Sequence, residues 1–188
     1  MDPSYEISSH RIKALLLEIK KAGHVIGLHP SFDSWNNAKN LKEQKLLIEN
    51  SLGSEVSSCR QHWLRFGWSI TWKAQSVAGI KRDSTLMFND RFGFRNSSVI
   101  SWNPWDPSIE GPHGVKCTNS VLMDSHLYDY KSMDAIERRK WINGIIAECK
   151  LVRGEAFALW HPHTLSEDYG WSDGFRELLQ SIKNLEKN

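Results

Sequence analysis

The sequence is poor in cysteine and has no long apolar run. It contains three cysteines, Cys59, Cys117 and Cys149, which are far apart and form no Cys-x-x-Cys pair. An odd number of widely spaced cysteines disfavours a disulfide scaffold and a cysteine-type zinc site. No apolar run approaches the roughly 18 to 20 residues of a membrane-spanning helix. The first six residues have neither a basic start nor an apolar core, so we expect no signal peptide and a cytoplasmic protein.

The sequence also lacks a strong net charge. It has 24 Lys and Arg against 22 Asp and Glu, a net charge of +2, which gives no electrostatic reason to expect nucleic acid or an anionic membrane as a partner. Hydrophobic residues are 40% and charged residues 24%, as in folded soluble proteins. We therefore expect one domain over residues 1–188. The nine tryptophans fit either a packed core or the aromatic platforms of a carbohydrate site.

Short apolar segments alternate with amphipathic segments along the chain. Helices are predicted from Ser8 or Ser9 to Gly23 and over 41–52, 70–77, 132–150 and 171–185. Strands are predicted over 25–28, 56–62, 80–86, 115–123 and 156–160, the first and last of them buried. Residues 88–112 are rich in Gly and Pro and should form a long loop or two short edge strands. This alternation predicts an α/β protein with parallel strands, either an open sheet or a closed or partly closed barrel.

Ionisable side chains stand at or near the ends of the predicted strands. They are His29, Arg60, His62, Asp83, Asp124 and His161. Parallel α/β folds bind ligands at the carboxyl ends of their strands, so these side chains are candidates for one catalytic rim. The alternative is that each is an ordinary loop residue after a strand.

One of these positions, together with a nearby acid, suggests a metal site. His29 and Asp33 form a His-x-x-x-Asp pair just after the first predicted strand. Imidazole and carboxylate both suit a divalent metal, most of all zinc. A third ligand is needed, and His62 at the neighbouring strand end is the best candidate. The alternative for His29 is a hydrogen-bonded structural histidine.

A second histidine is a candidate acid. His161 ends the predicted buried strand 156–160, where it could act as a general acid near neutral pH or bind metal. Asp83, from another strand, could orient it through a ring N–H. Packing alone is the competing explanation. Five arginines crowd the middle third and could bind carboxylate or phosphate, or pair on the surface: Arg60, Arg65, Arg82, Arg91 and Arg95.

Four stretches resemble motifs of the polysaccharide deacetylase family (the NodB-homology domain, carbohydrate esterase family 4). Residues 22–31, Ala-Gly-His-Val-Ile-Gly-Leu-His-Pro-Ser, resemble its second motif. Residues 58–63 fall where the family has Arg-x-Pro-[Tyr/Trp], residues 80–85 resemble its Asp motif, and residues 159–161 resemble its closing Leu-x-His. Residues 27–31, 60–66 and 90–95 also look like a bacterial branch associated with surface-polysaccharide loci.

The resemblance implies a distorted (β/α) barrel and metal-dependent removal of N-acetyl groups from sugars in O-antigen or lipopolysaccharide biosynthesis. By the same resemblance His29 is a metal ligand, Asp33 replaces a second ligand histidine, Arg60 orients a base, and His161 is the acid held by Asp83. Substrate-binding side chains are expected among Trp63, Arg65, Asp90, Arg95, Trp102 and Trp105.

One family motif has no counterpart in this sequence. The family's first strand carries Thr-Phe-Asp-Asp, which supplies a base and a metal ligand, and here Asp2 is the one acid before Glu6. The barrel should therefore be incomplete: the first strand could be lost, a partner chain could supply it, or the protein could work without it. A homo-oligomer is also possible. Two functions stay open: a deacetylase of N-acetylated sugars or sugar nucleotides, and a catalytically impaired sugar-binding or scaffolding relative.

Overall fold

The computed structural model describes residues 5–185 of the chain. The helices in this part are α1 (His10–Lys21), α2 (Ala38–Leu52), α3 (Thr71–Val77), α4 (Asp124–Tyr128), α5 (Ala135–Leu151) and α6 (Ser172–Leu185). The strands are β1 (Ser58–Cys59), β2 (Arg82–Asp83), β3 (Trp105–Asp106), β4 (Gly111–Pro112), β5 (Lys116–Cys117), β6 (Ser120–Met123) and β7 (Phe157–Leu159). Short 3₁₀ turns cover Phe32–Ser34, His62–Leu64 and Pro162–Leu165.

Capping residues explain where the long helices begin. The side chain of Asn37 accepts a hydrogen bond from the backbone N–H of Asn40 at 3.1 Å, at the start of α2. Asp134 accepts from the backbone N–H of Glu137 at 2.9 Å, and the Glu137 carboxylate accepts in return from the N–H of Asp134. Both arrangements satisfy donors that a helix start leaves unpaired. Gly53, with φ of 67°, ends α2 as the sequence predicts.

The strands pair in three short sheets within residues 5–185. β1, β2 and β5 are parallel, in the order β1-β2-β5, and β6 pairs with β7 in parallel. β3 and β4 form an antiparallel hairpin. The mixed α/β class with parallel strands is confirmed. The predicted barrel is not, because none of these sheets closes on itself.

Two strand predictions are wrong in part. Of residues 25–28, Leu28 alone pairs, through a bridge to Cys59 in which its N–H donates to the carbonyl of Ser58 at 2.8 Å. Val25 is 79% exposed, so an apolar side chain here does not mark a buried strand. Phe157 in β7 is 39% exposed, so this strand is also less buried than predicted. Apolar runs of four or five residues do not by themselves specify burial.

The chain forms two compact units. The first comprises the described residues up to Thr85 together with Trp102–Cys117, and the second comprises Leu86–Ser101 and the described residues from Thr118 onward. The main core of the first is built from Leu28, Leu41, Leu52, Val56, Cys59, Ala74, Ala78 and Ile80. The core of the second is built from Val121, Leu122, Leu127, Met133, Ile142 and Leu178. Each fully buried Val, Leu, Ile or Met side chain contributes about 1.5–3 kcal/mol to its unit's stability.

None of the helices described is both long enough and apolar enough to cross a bilayer.

Candidate functional site

The second unit holds a histidine against a buried carboxylate. Asp124 directly follows β6, and one residue, Trp160, separates His161 from the end of β7. The parallel register pairs Met123 with Leu159. This register places both side chains at the carboxyl end of the β6–β7 pair. The Nδ1 of His161 lies 2.8 Å from Asp124 Oδ1 and 3.1 Å from Oδ2. Pairing of β6 with β7 therefore brings together two residues that are 37 positions apart.

Further donors fix the Asp124 carboxylate. Its Oδ2 accepts from the backbone N–H of His161 at 2.9 Å and from the hydroxyl of Thr164 at 3.1 Å. Asp124 is fully buried, whereas half of the His161 side chain is exposed. Burial raises the pKa of Asp124, but the hydrogen bonds and charge of His161 outweigh it, so the pKa lies below its usual value. The carboxylate is therefore ionised at neutral pH and accepts the Nδ1–H of His161.

This geometry suits proton transfer. Because Nδ1–H of His161 is bound to Asp124, the proton that the ring gains and loses is the one on Nε2. A carboxylate partner also stabilises the imidazolium form. The pair can therefore act as a general acid, the role that the sequence predicts for His161.

Asp124 makes the contact that the sequence assigns to Asp83. The Asp83 carboxylate, 2% exposed, accepts from Gln75 Nε2 at 2.7 Å, from the Thr85 hydroxyl at 2.5 Å and from Trp72 Nε1 at 3.3 Å. Burial outweighs these neutral donors and raises its pKa. We therefore assign the orienting role to Asp124. The signal for it was present, since Asp124 directly follows a predicted strand.

The first unit brings His29 and His62 together, as the sequence predicts. Their ring centroids are 5.1 Å apart and the rings are inclined at 57°. The Nδ1 of His29 lies 2.7 Å from the carbonyl oxygen of Arg60. A carbonyl can only accept, so Nδ1 carries the proton, and in the neutral ring Nε2 carries the lone pair. This is the tautomer that a metal ligand needs.

The third predicted ligand has a different partner. Asp33 Oδ1 accepts from Arg65 Nη1 at 2.7 Å, and the Asp33 side chain is 89% exposed. Arg65 also donates to the carbonyl of Phe32 at 3.0 Å and lies over the Phe32 ring at 4.1 Å. Across residues 5–185, no three His, Cys, Asp or Glu side chains are grouped as a metal would require. The two imidazoles are ligand types that zinc accepts, and the Asp33 carboxylate is bound to Arg65 in this structure.

The turn after His62 is strained and exposes a tryptophan. Trp63 and Leu64 both have φ of 53°, in the left-handed region that costs a non-glycine residue about 1–2 kcal/mol. Trp63 is 70% exposed, and its ring stands edge-on to Phe32 with centroids 6.4 Å apart. Strain of this kind collects at binding sites, and the role of Trp63 as a sugar contact stays a prediction.

Arg60 belongs to the same part of the first unit. Its Nε donates to the Ser84 carbonyl at 3.4 Å, and burial lowers the pKa of its guanidinium. The proposed partner base comes from a motif that this sequence lacks, so its orienting role stays a prediction.

The other predicted sugar contacts divide between the units. In the first unit Trp102 forms a β-bridge with Cys117 and packs against the buried cluster of Trp72, Val115 and Cys117, which argues for a core role. Trp105, on β3, is 64% exposed. In the second, Asp90 pairs with Arg91, and Arg95 donates to the carbonyl of Met87 at 3.2 Å.

Comparison with known proteins gives one kind of match. No family model matches the sequence, and no curated protein matches it significantly. Among solved structures, the crystal structure of a proposed polysaccharide deacetylase from Mycobacterium smegmatis superposes with a TM-score of 0.59 and 18% sequence identity. The chain has a polysaccharide deacetylase-like fold. The match covers 94% of this chain and 63% of the mycobacterial one, so this chain spans less than two thirds of that structure.

Proposed function

We propose that this chain hydrolyses the amide bond of N-acetylated sugars, as a metal-dependent deacetylase of surface-polysaccharide biosynthesis. The observation that carries the proposal is the pair of His161 and Asp124, a solvent-accessible imidazole on a buried carboxylate. The deacetylase-like fold supports a sugar acetamide as the substrate class. The sequence resemblance supports the pathway.

His161 supplies the proton that amide hydrolysis needs. An amine leaves poorly as an anion, so the C–N bond breaks when the nitrogen receives a proton. In the proposed step a water oxygen adds to the acetamide carbonyl carbon and its proton passes to solvent. The Nε2–H of His161 is then transferred to the nitrogen as the C–N bond breaks, which releases acetate and a free amino sugar, and the ring takes up a proton from solvent before the next turnover. Asp124 holds the ring in place and stabilises its cationic form. Such an acid contributes about 10²- to 10⁴-fold in rate.

His29 and His62 are the proposed ligands of a divalent metal, with zinc as the first choice. The hydrogen bond from His29 to the Arg60 carbonyl holds the ring in the ligand tautomer. Asp33 is the proposed third ligand, after it exchanges Arg65 for the metal. A metal held by these residues would supply Lewis-acid polarisation of a carbonyl oxygen.

Acetate release tests the proposed function. The full chain, reconstituted with Zn²⁺, Co²⁺, Ni²⁺ or Mn²⁺, is incubated with an N-acetylglucosamine tetrasaccharide and with UDP-N-acetylglucosamine, and acetate is measured by NMR. We expect acetate from the wild type and a loss of about 10²-fold or more in His161→Ala. His24→Ala, which removes an exposed imidazole from the first unit, is the matched control. Sugar binding without acetate release would support the sugar-binding relative instead.

A further inference from the structure

Aromatic rings continue from His161 along the segment that follows it. The His161 and His163 ring centroids are 5.7 Å apart, and the His163 ring stands edge-on to Tyr169 at 5.2 Å. Tyr169 stands edge-on to Trp171 at 4.7 Å. We call these four rings the ring track. Tyr169 is 44% exposed and His163 is exposed, so this part of the track faces solvent.

The ring track is held in one conformation by its own loop. The Gly170 N–H donates to the Ser166 carbonyl at 3.0 Å, and the Trp171 N–H donates to the Thr164 carbonyl at 3.1 Å. Gly170 has φ of 80°, which lets the chain turn back between Tyr169 and Trp171. A loop closed by its own hydrogen bonds presents Tyr169 without a large entropy cost on binding.

The inner end of the track is anchored in the second unit. Trp171 stacks on Tyr128, with centroids 4.8 Å apart and rings inclined at 9°. The Tyr128 hydroxyl accepts from the Gly174 N–H at 3.0 Å and donates to the Trp171 carbonyl at 3.4 Å. The exposed rings therefore form a rigid platform beside His161 rather than a mobile loop.

The segment that carries the platform is acidic in sequence. Residues 161–173 contain three acids, Glu167, Asp168 and Asp173, and no Lys or Arg. Asp173 pairs with Arg176 at 3.0 Å, and Glu167 and Asp168 immediately precede Tyr169. The hydrogen bond from Ser166 lowers the pKa of Asp168, so this carboxylate is charged at neutral pH. Two carboxylates beside an aromatic face suit a cation and repel the diphosphate of a sugar nucleotide.

We infer that the ring track, with Glu167 and Asp168, binds a hexosamine ring with a free ammonium group in an oligosaccharide. The apolar C–H face of the sugar lies on Tyr169, and the ammonium faces the carboxylates. That the bound oligosaccharide reacts at His161 rests on the proposed function. That the platform binds the sugar does not rest on it. The substrate class is then a partly deacetylated amino-sugar chain, in which each released amine can occupy the platform while a neighbouring acetamide reacts.

Binding of an unreactive ligand tests the platform. A fully deacetylated glucosamine tetrasaccharide, its N-acetylated form and neutral cellotetraose are titrated into the full chain by calorimetry. We expect the glucosamine tetrasaccharide to bind most tightly, and we expect its affinity to fall with added salt. Tyr169→Ala should lower the affinity for this tetrasaccharide roughly 3- to 30-fold, and Tyr169→Phe should keep the wild-type affinity. Tyr130→Ala, which removes another exposed tyrosine of the second unit, should have no effect.

Two outcomes would overturn the inference. One is equal binding of the charged and neutral tetrasaccharides by the wild type. The other is unchanged glucosamine binding in the double variant Glu167→Gln and Asp168→Asn. This variant keeps all the aromatic rings, so it tests the inference even if Tyr169→Ala fails to fold. The experiment is independent of the proposed activity, since the glucosamine tetrasaccharide carries no acetyl group and its binding is measured whether or not the chain releases acetate. Acetate release with no preference for the charged tetrasaccharide would contradict the platform alone.

Discussion

The two compact units each place a histidine at a strand end or bridge, but they give it different partners. In the first unit, Nδ1 of His29 donates to the carbonyl of Arg60 at 2.7 Å. In the second, Nδ1 of His161 donates to the carboxylate of Asp124 at 2.8 Å. A carbonyl carries no net charge and fixes a neutral tautomer, whereas a carboxylate stabilises the imidazolium. The first arrangement suits a ligand and the second suits an acid.

The buried carboxylates of the two units differ in the same way. Asp83 and Asp124 are both at most 2% exposed, and both lie at the end of a short parallel strand or just beyond it. Burial raises the pKa of Asp83 because its donors are neutral, and the charge and hydrogen bonds of His161 lower that of Asp124. The partner, and not the degree of burial, separates a structural carboxylate from one that orients an acid.

The largest expected effect is on activity. Asp124→Asn should lower acetate release by about 10²-fold or more, because an amide cannot hold the imidazolium or fix the Nδ1–H tautomer as a carboxylate does. The same change should cost about 1–3 kcal/mol of stability through its buried partners. Acetate release and the unfolding midpoint are measured on the same preparations.

Asp83→Asn is the matched control for this prediction. It alters a carboxylate of equal burial whose contacts are to Trp72, Gln75 and Thr85. We expect its kcat to stay within a few-fold of the wild type. An equal loss in both variants would remove the distinction between the two carboxylates and restore Asp83 to the site.

The next effect is a pair of opposite pH dependences. The pKa of Asp124 is lowered in the fold, so its stabilising contribution is fully present above its unfolded pKa of about 3.9 and is lost as pH falls through the folded value. The pKa of Asp83 is raised in the fold, so its ionisation destabilises the fold as pH rises from about 3.9 through the folded value. Against the wild type, Asp124→Asn should therefore lose stability with rising pH, and Asp83→Asn should gain it.

Urea unfolding of the three chains between pH 3 and pH 7 measures both dependences. Differences from the wild type cancel the titration of groups remote from the mutated carboxylate, and the Asp124→Asn slope is read below about pH 5, outside the range in which a contacting imidazole ordinarily titrates. Slopes of the same sign in the two variants would show that the partner does not govern these carboxylates.

The sequence shows which residues end strands but not which strands are neighbours. The end of α2 was predictable because Gly53 takes the left-handed conformation that ends a helix. The starts of α2 and α5 were not: they lie at the caps Asn37 and Asp134 and not at the predicted residues 41 and 132. The sequence also places Asp124 at the end of a predicted strand, but it does not show that His161 is its partner, because this contact depends on the pairing of β6 with β7 across 37 positions. No local pattern encodes that pairing. Similarly, the spacing of His29 and Asp33 cannot show that Arg65 binds the carboxylate.

A smaller effect should come from the turns that follow each site. In the first unit Leu64 has φ of 53°, whereas no residue of Pro162–Leu165 in the second has positive φ. Leu64→Gly and Leu165→Gly remove similar half-buried side chains. Only the first also relieves left-handed strain, so Leu64→Gly should cost about 1–2 kcal/mol less in unfolding free energy. Equal costs would mean that the turn of the first unit stores no strain.

The smallest expected effect concerns the metal site proposed for the first unit. Arg65→Met removes the cation that holds Asp33 and keeps much of the stem against Phe32. An exposed ion pair contributes about 0.2–1 kcal/mol, so freeing Asp33 should raise Zn²⁺ affinity up to about 5-fold. Competition with a chromophoric chelator measures the Zn²⁺ affinity. The control is Arg91→Met, which breaks the exposed Arg91–Asp90 pair of the second unit. His62→Ala should abolish Zn²⁺ binding. If Zn²⁺ affinity is unchanged in both His62→Ala and Arg65→Met, these residues hold no metal, and the hydrogen bond of His29 to the Arg60 carbonyl is structural.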